Sequence, residues 1–272
     1  MSLKTIAKAV AYRLKVFITW VRYLIRPQSL LPENISTTIK LSGSEIALLV
    51  DPWYHDFDVL GFKTHQRVTK GYREAQEAKQ GPLFEFTAQA ISLCRKQGTF
   101  VKGVELFCAD GFFTNYAIQC GAQEMYGIDI DDRELSKSRL ITKLLGNSKK
   151  VRFDNCDVFG LDGTYDFGIC AGGLYHISNP QDLLKLLSTK IKTALVVQTV
   201  YSLANESEEY FEAPAPPWTW GCRFSYKYLL QMVKDAGWNV LHASKNELRG
   251  NKRLQDRGSA YLLCVPIKNN CA

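Results

Sequence analysis

The stretch 101-VKGVELFCADGFFTNYAIQCGAQEMYGIDID-131 decides the fold. Val101 to Phe107 is an apolar run with a turn behind it that closes at Gly111. Thr114 to Cys120 has helical spacing and stops at Gly121. Glu124 to Ile130 is a second apolar run, ending on Asp129-Ile130-Asp131. Strand, turn, helix and strand in this order build a parallel sheet.

The pattern continues outward on both sides. Arg133 to Leu145 reads as a helix, Val151 to Asp157 and Tyr165 to Ala171 as strands. A helix opens at Asn179-Pro180, with Asn179 as its N-cap, and Thr193 to Val200 is a fifth strand. Ser225 to Ala236 is a helix, and Trp238–Ala243 and Ala260–Val265 are closing strands. The expected class is α/β: a Rossmann-like, doubly wound, mostly parallel seven-stranded sheet with helices on both faces, plus an N-terminal helical extension. Residues 1–30 are expected to form a basic amphipathic helix and 31–98 an extension or cap. Residues 99–268 are expected to form the ligand-binding domain, with a lid over 203–224. Within the extension, Ile46 to Val50 reads as a strand or short helix and Phe57 to Thr64 as a loop or short strand. Tyr72 to Lys79 and Phe84 to Gln97 read as two helices broken at Gly81-Pro82.

Charge narrows the partners. The net charge is +7, but Lys4, Lys8, Arg13, Lys15, Arg22 and Arg26 supply nearly all of the excess, with no acid among residues 1–32. The rest is close to neutral, which disfavours RNA as a partner. On a helix over 3–26, Ile6, Val10, Leu14, Phe17, Val21 and Leu24 share one face, while Lys4, Lys8, Lys15, Arg22 and Arg26 lie opposite. That stripe either packs on protein or lies on an anionic membrane surface. Eight cysteines without C-x-x-C spacing read as free thiols of a reducing, cytoplasmic compartment. Four scattered histidines give no metal-ligand spacing, and no metal is expected.

A doubly wound sheet binds its ligand beyond the carboxyl ends of its strands. The residues there are Glu105, Phe107, Ala109 and Gly111 after the first strand, and Asp129 and Ile130 after the second. Asp157 and Val158 follow the third, and Ala171 to His176 the fourth. For an adenosine ligand each has a task. A tight turn at Gly111 lets backbone approach closely, and Asp129 accepts from both ribose hydroxyls. Asp157 accepts from the adenine amino group, and Ile130 and Val158 sandwich the ring.

These residues resemble the class I S-adenosylmethionine (SAM)-dependent methyltransferase superfamily. Its first motif is an acid followed by a Gly-x-Gly-x-Gly-like turn. Glu105 matches the acid and Gly111 the last glycine, while Phe107 and Ala109 stand where glycines usually do. A finer resemblance is to the branch that includes the tRNA wobble-uridine carboxymethyltransferases. It rests on Trp53-Tyr54-His55 with Gly61 and Thr64, and on Gly172-Gly173-Leu174-Tyr175-His176 with Pro180. The resemblance implies SAM, or a carboxylated analogue, as cofactor. A nicotinamide cofactor shares the acid on strand two but not the combination.

The resemblance implies an in-line methyl transfer in which the protein supplies positioning. His176 reads either as a structural histidine or as a base for a hydroxyl acceptor, with Tyr175 shaping the site. Trp218, Trp220, Arg223, Tyr54 and His55 are expected to bind the acceptor, with Arg223 pairing an acidic group. The expected acceptor is a small molecule or glycan. RNA modification and a non-catalytic binding module are the alternatives.

Overall fold

The computed structural model describes residues 3–25, 39–62, 64, 70–98 and 100–267. The chain opens with helices α1 (Leu3–Ile25), α2 (Gly43–Leu49) and α3 (Lys70–Arg95). Then β1 (Lys102–Leu106), α4 (Phe112–Gln119), β2 (Glu124–Asp129), α5 (Asp132–Leu144) and β3 (Val151–Asn155) alternate. The alternation ends with β4 (Tyr165–Ala171), α6 (Pro180–Lys190) and β5 (Ile191–Tyr201). A short ribbon, β6 (Phe211–Glu212) with β7 (Arg223–Phe224), precedes α7 (Tyr226–Asp235), β8 (Trp238–Glu247) and β9 (Gly258–Pro266). Pro27 and Pro32, expected to end the first helix, lie outside the described residues, as does Cys271. The seven described cysteines are free.

The seven strands of the main sheet run in the order β3-β2-β1-β4-β5-β9-β8. The first five are parallel, and β9 is antiparallel to both β5 and β8. Side chains alternate across the strands and feed two cores. Phe167, Ile169, Val196, Tyr261 and Leu263 face one core, with α3 and α4. Cys170, Leu195, Val197, Leu262 and Cys264 face the other, with α6 and α7. The mostly parallel sheet with helices on both faces is therefore the expected architecture.

In the N-terminal region the short helix is the alternative realised at residues 43–49, and 57–60 form a 3-10 turn within the expected loop. One expectation needs correction: α3 is one helix that runs through Gly81-Pro82 instead of two helices broken there. Proline removes one helical N–H and leaves the carbonyl four residues earlier without its donor. That carbonyl belongs to Ala78. It accepts instead from Asn246 Nδ2 at 2.8 Å and Tyr261 Oη at 3.3 Å. Leu83, Phe86, Ala90 and Ile91 of the same helix are buried in the sheet's own core, so α3 is a layer of the domain rather than a separate cap.

Removing both donors, in Asn246→Leu/Tyr261→Phe, should strand the Ala78 carbonyl. Unfolding in urea should then show a loss of about 1–3 kcal/mol. An unchanged midpoint would show that water serves this carbonyl equally well.

Candidate active site

The first three residues of the turn after β1 that carry the expected site are Phe107, Cys108 and Ala109. Phe107 (φ 56°) and Ala109 (φ 44°) take the left-handed backbone, as does Gly111 (φ 75°). The chain therefore keeps a glycine-type turn without two of its glycines, at about 1–2 kcal/mol for each non-glycine residue. Neighbouring contacts hold it. Ala109 N–H donates to Asp129 Oδ2 at 2.9 Å, and Cys108 N–H to the Ile128 carbonyl at 3.1 Å. The Phe107 ring lies where a side chain on Gly173 would sit. A Cβ on Gly111 would meet Phe153 and Ser138 at 2.8 Å, so that glycine is required for space as well as for φ. Gly111 shapes the turn and caps α4 without lining the cleft.

Asp110 ties this turn to the N-terminal segment. Its carboxylate is fully buried. It accepts from Tyr54 N–H and His55 N–H, both at 2.9 Å, and lies 2.7 Å from His55 Nδ1. The His55 ring stacks on Phe112 at 4.7 Å. Thr64 Oγ1 donates to the His55 carbonyl at 2.8 Å and accepts from Phe57 N–H at 3.2 Å. The Trp-Tyr-His segment is thus a brace against the turn. Tyr54 and His55, expected to bind the acceptor, line the same cleft as Glu105 and Asp129, and the imidazole of His55 is already engaged.

The four strand tips converge on one cleft of about 660 Å³. Glu105, Phe107, Ala109, Asp129, Ile130, Asp157, Val158, Ala171, Tyr175 and His176 all line it. Glu105 is buried and accepts from Thr114 Oγ1. Burial, reinforced by Asp110 and Asp129 against the opposing Thr114 bonds, pushes its pKa up to about 8. Asp129 also accepts from Asp131 N–H at 3.0 Å, and Asp157 from Phe159 N–H at 2.9 Å. Carboxylate oxygens accept more than one donor, so both acids keep capacity for a ligand. Ile130 is 70% exposed over the cleft, and Val158 is buried beneath it.

His176 stacks on Trp220 at 5.2 Å and packs against Tyr175 at 4.2 Å. The cleft walls desolvate its ring and the Lys79 ammonium adds to the effect, holding its pKa below the usual imidazole value. Burial pushes the Tyr175 phenol up to about 12. Near neutral pH the first is therefore an unprotonated base and the second a neutral donor.

A second cavity of about 390 Å³ adjoins the first, sharing Tyr175, His176, Val200, Trp220 and Asn251 with it. Trp218 and Trp220 lie on its wall, 5.7 Å apart and nearly half exposed. From residues 203–224, Ala215, Trp218, Trp220 and Cys222 line this cavity beside Val200 and Tyr201 of β5. Arg223 also lines this cavity, but its expected role changes. Its guanidinium binds both oxygens of Asp256, at 2.8 and 3.2 Å, and the Pro216 carbonyl. Its charge is neutralised, and it ties the Pro216 segment to Asp256 instead of waiting for an acid.

Three residues went unremarked in the sequence. Asp110 is the brace just described. Lys79 and Gln198 also line the main cleft. Only Asp110 carried a signal, as a carboxylate inside the turn itself. Among the described residues, no cluster of three or more His, Cys, Asp or Glu is arranged to hold a metal ion.

Solved structures share this fold at low identity. The SAH-bound N-terminal domain of EvdMO1 is 18% identical, with a TM-score of 0.59 over 83% of this chain and 94% of that one. The SAH-bound magnesium protoporphyrin IX methyltransferase of Synechocystis PCC 6803 is 15% identical, with a TM-score of 0.56 over 74% and 89%. The [4+2]-cyclase SpnF is also 15% identical, with a TM-score of 0.55 over 68% and 82%. No curated protein matches the sequence. A family model for a methyltransferase domain matches residues 72–243, more than half of the chain and every strand tip of the cleft. The chain belongs to this methyltransferase domain family.

Proposed function

We propose that the protein is a SAM-dependent methyltransferase acting on a hydroxyl of a small molecule or glycan, with His176 as the base. The carrying observation is the single cleft that joins Glu105, Asp129, Ile130, Asp157 and Val158 to His176. A SAM molecule laid along it has its ribose at Asp129 and its adenine between Ile130 and Val158, within reach of Asp157. The amino group of its methionine moiety would lie towards buried Glu105 and draw that acid into its charged form. That two structures of the same fold were solved with SAH bound supports this choice of cofactor. SAM supplies an activated methyl group; the chain's residues bind, orient and exclude water. A hydroxyl acceptor needs its proton removed, and unprotonated His176 at the tip of β4 is placed to take it. Tyr175 and the two lid tryptophans offer flat apolar surface for an acceptor ring. The cyclase SpnF shares this fold, so fold alone does not assign the reaction.

Peripheral membrane contact through residues 3–26 belongs to the same reading. Among the described residues no helix is long and apolar enough to cross a membrane. α1 docks on the domain through another face, where Tyr12 Oη donates to Asp51 Oδ1 at 2.9 Å. Its stripe of Val10, Leu14, Phe17 and Leu24 stays more than half exposed. Exposed Lys8, Arg13, Lys15 and Arg22 accompany it without an acid on the helix. Exposed apolar and basic arcs on one helix fit an anionic bilayer surface.

Labelled SAM with pooled small hydroxylated metabolites and glycans tests the reaction. Transfer by the wild type should fall at least about a hundredfold in His176→Ala, the scale of a lost general base, with SAH affinity unchanged. Because the His176 pKa is lowered, the rate should fall only on acidification below the usual imidazole range, through protonation of the base. A rate indifferent to His176→Ala would remove the assigned base. For the membrane, vesicles of phosphatidylcholine with phosphatidylglycerol should sediment the wild type and leave Leu14→Asp/Phe17→Asp in solution. Equal sedimentation of the two proteins would end the proposal.

A further inference from the structure

Five carboxylates line the main cleft, at Glu105, Asp129, Asp131, Glu134 and Asp157, all on the side of β1, β2 and β3. Lys79 is the one lysine or arginine among its described lining residues. It sits on α3 beside Ala78, the residue anchored to Asn246 and Tyr261 of the two closing strands. It forms no ion pair or hydrogen bond among the described residues. Burial alone pushes its pKa down to about 8, and its charge is felt at His176. An ammonium held in a cleft without a counter-ion is costly, and an arriving anion relieves that cost.

A second polar group lines the same cleft without a partner. Gln198 of β5 is 1% exposed, and its Nε2 donates to Ser259 Oγ at 2.9 Å. Its Oε1 is buried with no partner, close to Gly172 at the tip of β4. Such a group is rare in a folded chain and fits a ligand that donates to it. Lys79 and Gln198 thus offer one cation and one free acceptor in the cleft that His176 also lines.

We propose that Lys79 and Gln198 form an acceptor subsite for an anionic, hydroxylated molecule. The ammonium takes its carboxylate or phosphate, and Gln198 Oε1 accepts from a hydroxyl. The proposal rests on the methyltransferase reading and names the acceptor's chemical class. It also relocates the anion recognition expected of Arg223. A carboxylate in this cleft has two sources, the acceptor or the methionine end of the cofactor, and the test separates them.

The SAH-saturated protein is titrated with acetate and with inorganic phosphate, read by NMR of labelled lysine and glutamine side chains. Saturable shifts should appear at Lys79 with both anions, and at Gln198 with phosphate, whose P–OH can donate to Oε1. In Lys79→Met the anion affinity should fall about tenfold or more, the loss of one charge-assisted hydrogen bond. Lys79→Arg should retain it, and SAH affinity should change less than about twofold in both. No saturable shift in the wild type, or equal anion affinity in Lys79→Met, overturns the proposal. So does a tenfold loss of SAH affinity in Lys79→Met with methylthioadenosine binding unchanged, because that ligand lacks the carboxylate and the loss would assign Lys79 to the cofactor. Failure of the wild type to bind SAH at all would strike the methyltransferase reading itself, a separate outcome.

Discussion

The buried carboxylate of Asp110 is the interaction on which the rest depends. It sits inside a turn whose backbone is left-handed at Phe107, Ala109 and Gly111, an arrangement that costs energy at the two non-glycine positions. The carboxylate draws Tyr54 N–H, His55 N–H and the His55 imidazole onto that turn. A chain segment more than 50 residues upstream is thereby locked against the first strand tip. The same bonds set Tyr54 and His55 as one wall of the cleft. The Phe107 ring over bare Gly173 couples the turn to the strand-four segment that carries His176. Losing glycines at two positions was thus compatible with the cleft because contacts from three directions hold the strained path.

The cleft is electrostatically divided. Carboxylates crowd the β1–β3 side, which the proposed placement gives to the hydrogen-bond donors of SAM. The other side holds Lys79, Gln198, unprotonated His176 and the lid tryptophans. Under the proposed function this division sets opposite chemical demands on cofactor and acceptor. His176 lies at the boundary, shared by the cofactor cleft and the lid cavity.

The fold was legible because hydrophobic period and turn residues agree from residue 101 onward. The β5 run Ala194 to Val197 alternates between the two cores, and each parallel strand ends within two residues of its expected end. What escaped was settled by distant partners. Pro82 looks like a helix stop because the donors that rescue Ala78 are Asn246 and Tyr261, each well over 150 residues away. Arg223 looks like a free cation because Asp256 lies beyond two intervening elements. Gln198 is read locally as a strand residue; only the third dimension leaves its Oε1 unpartnered over the cleft. The cleft residues from Glu105 to His176 were legible because they lie at or just after the strand ends, and the two tryptophans because they stand out in a proline-rich loop. Lys79 and Gln198 come from a helix and a strand interior, where no local pattern marks them.

The most direct test of the central claim is calorimetric titration of the purified protein with SAH. The account predicts saturable binding in the micromolar range, weakened about tenfold or more in Asp129→Asn by loss of a charged hydrogen-bond acceptor. A folded wild-type protein that gives no binding heat at millimolar SAH would contradict it.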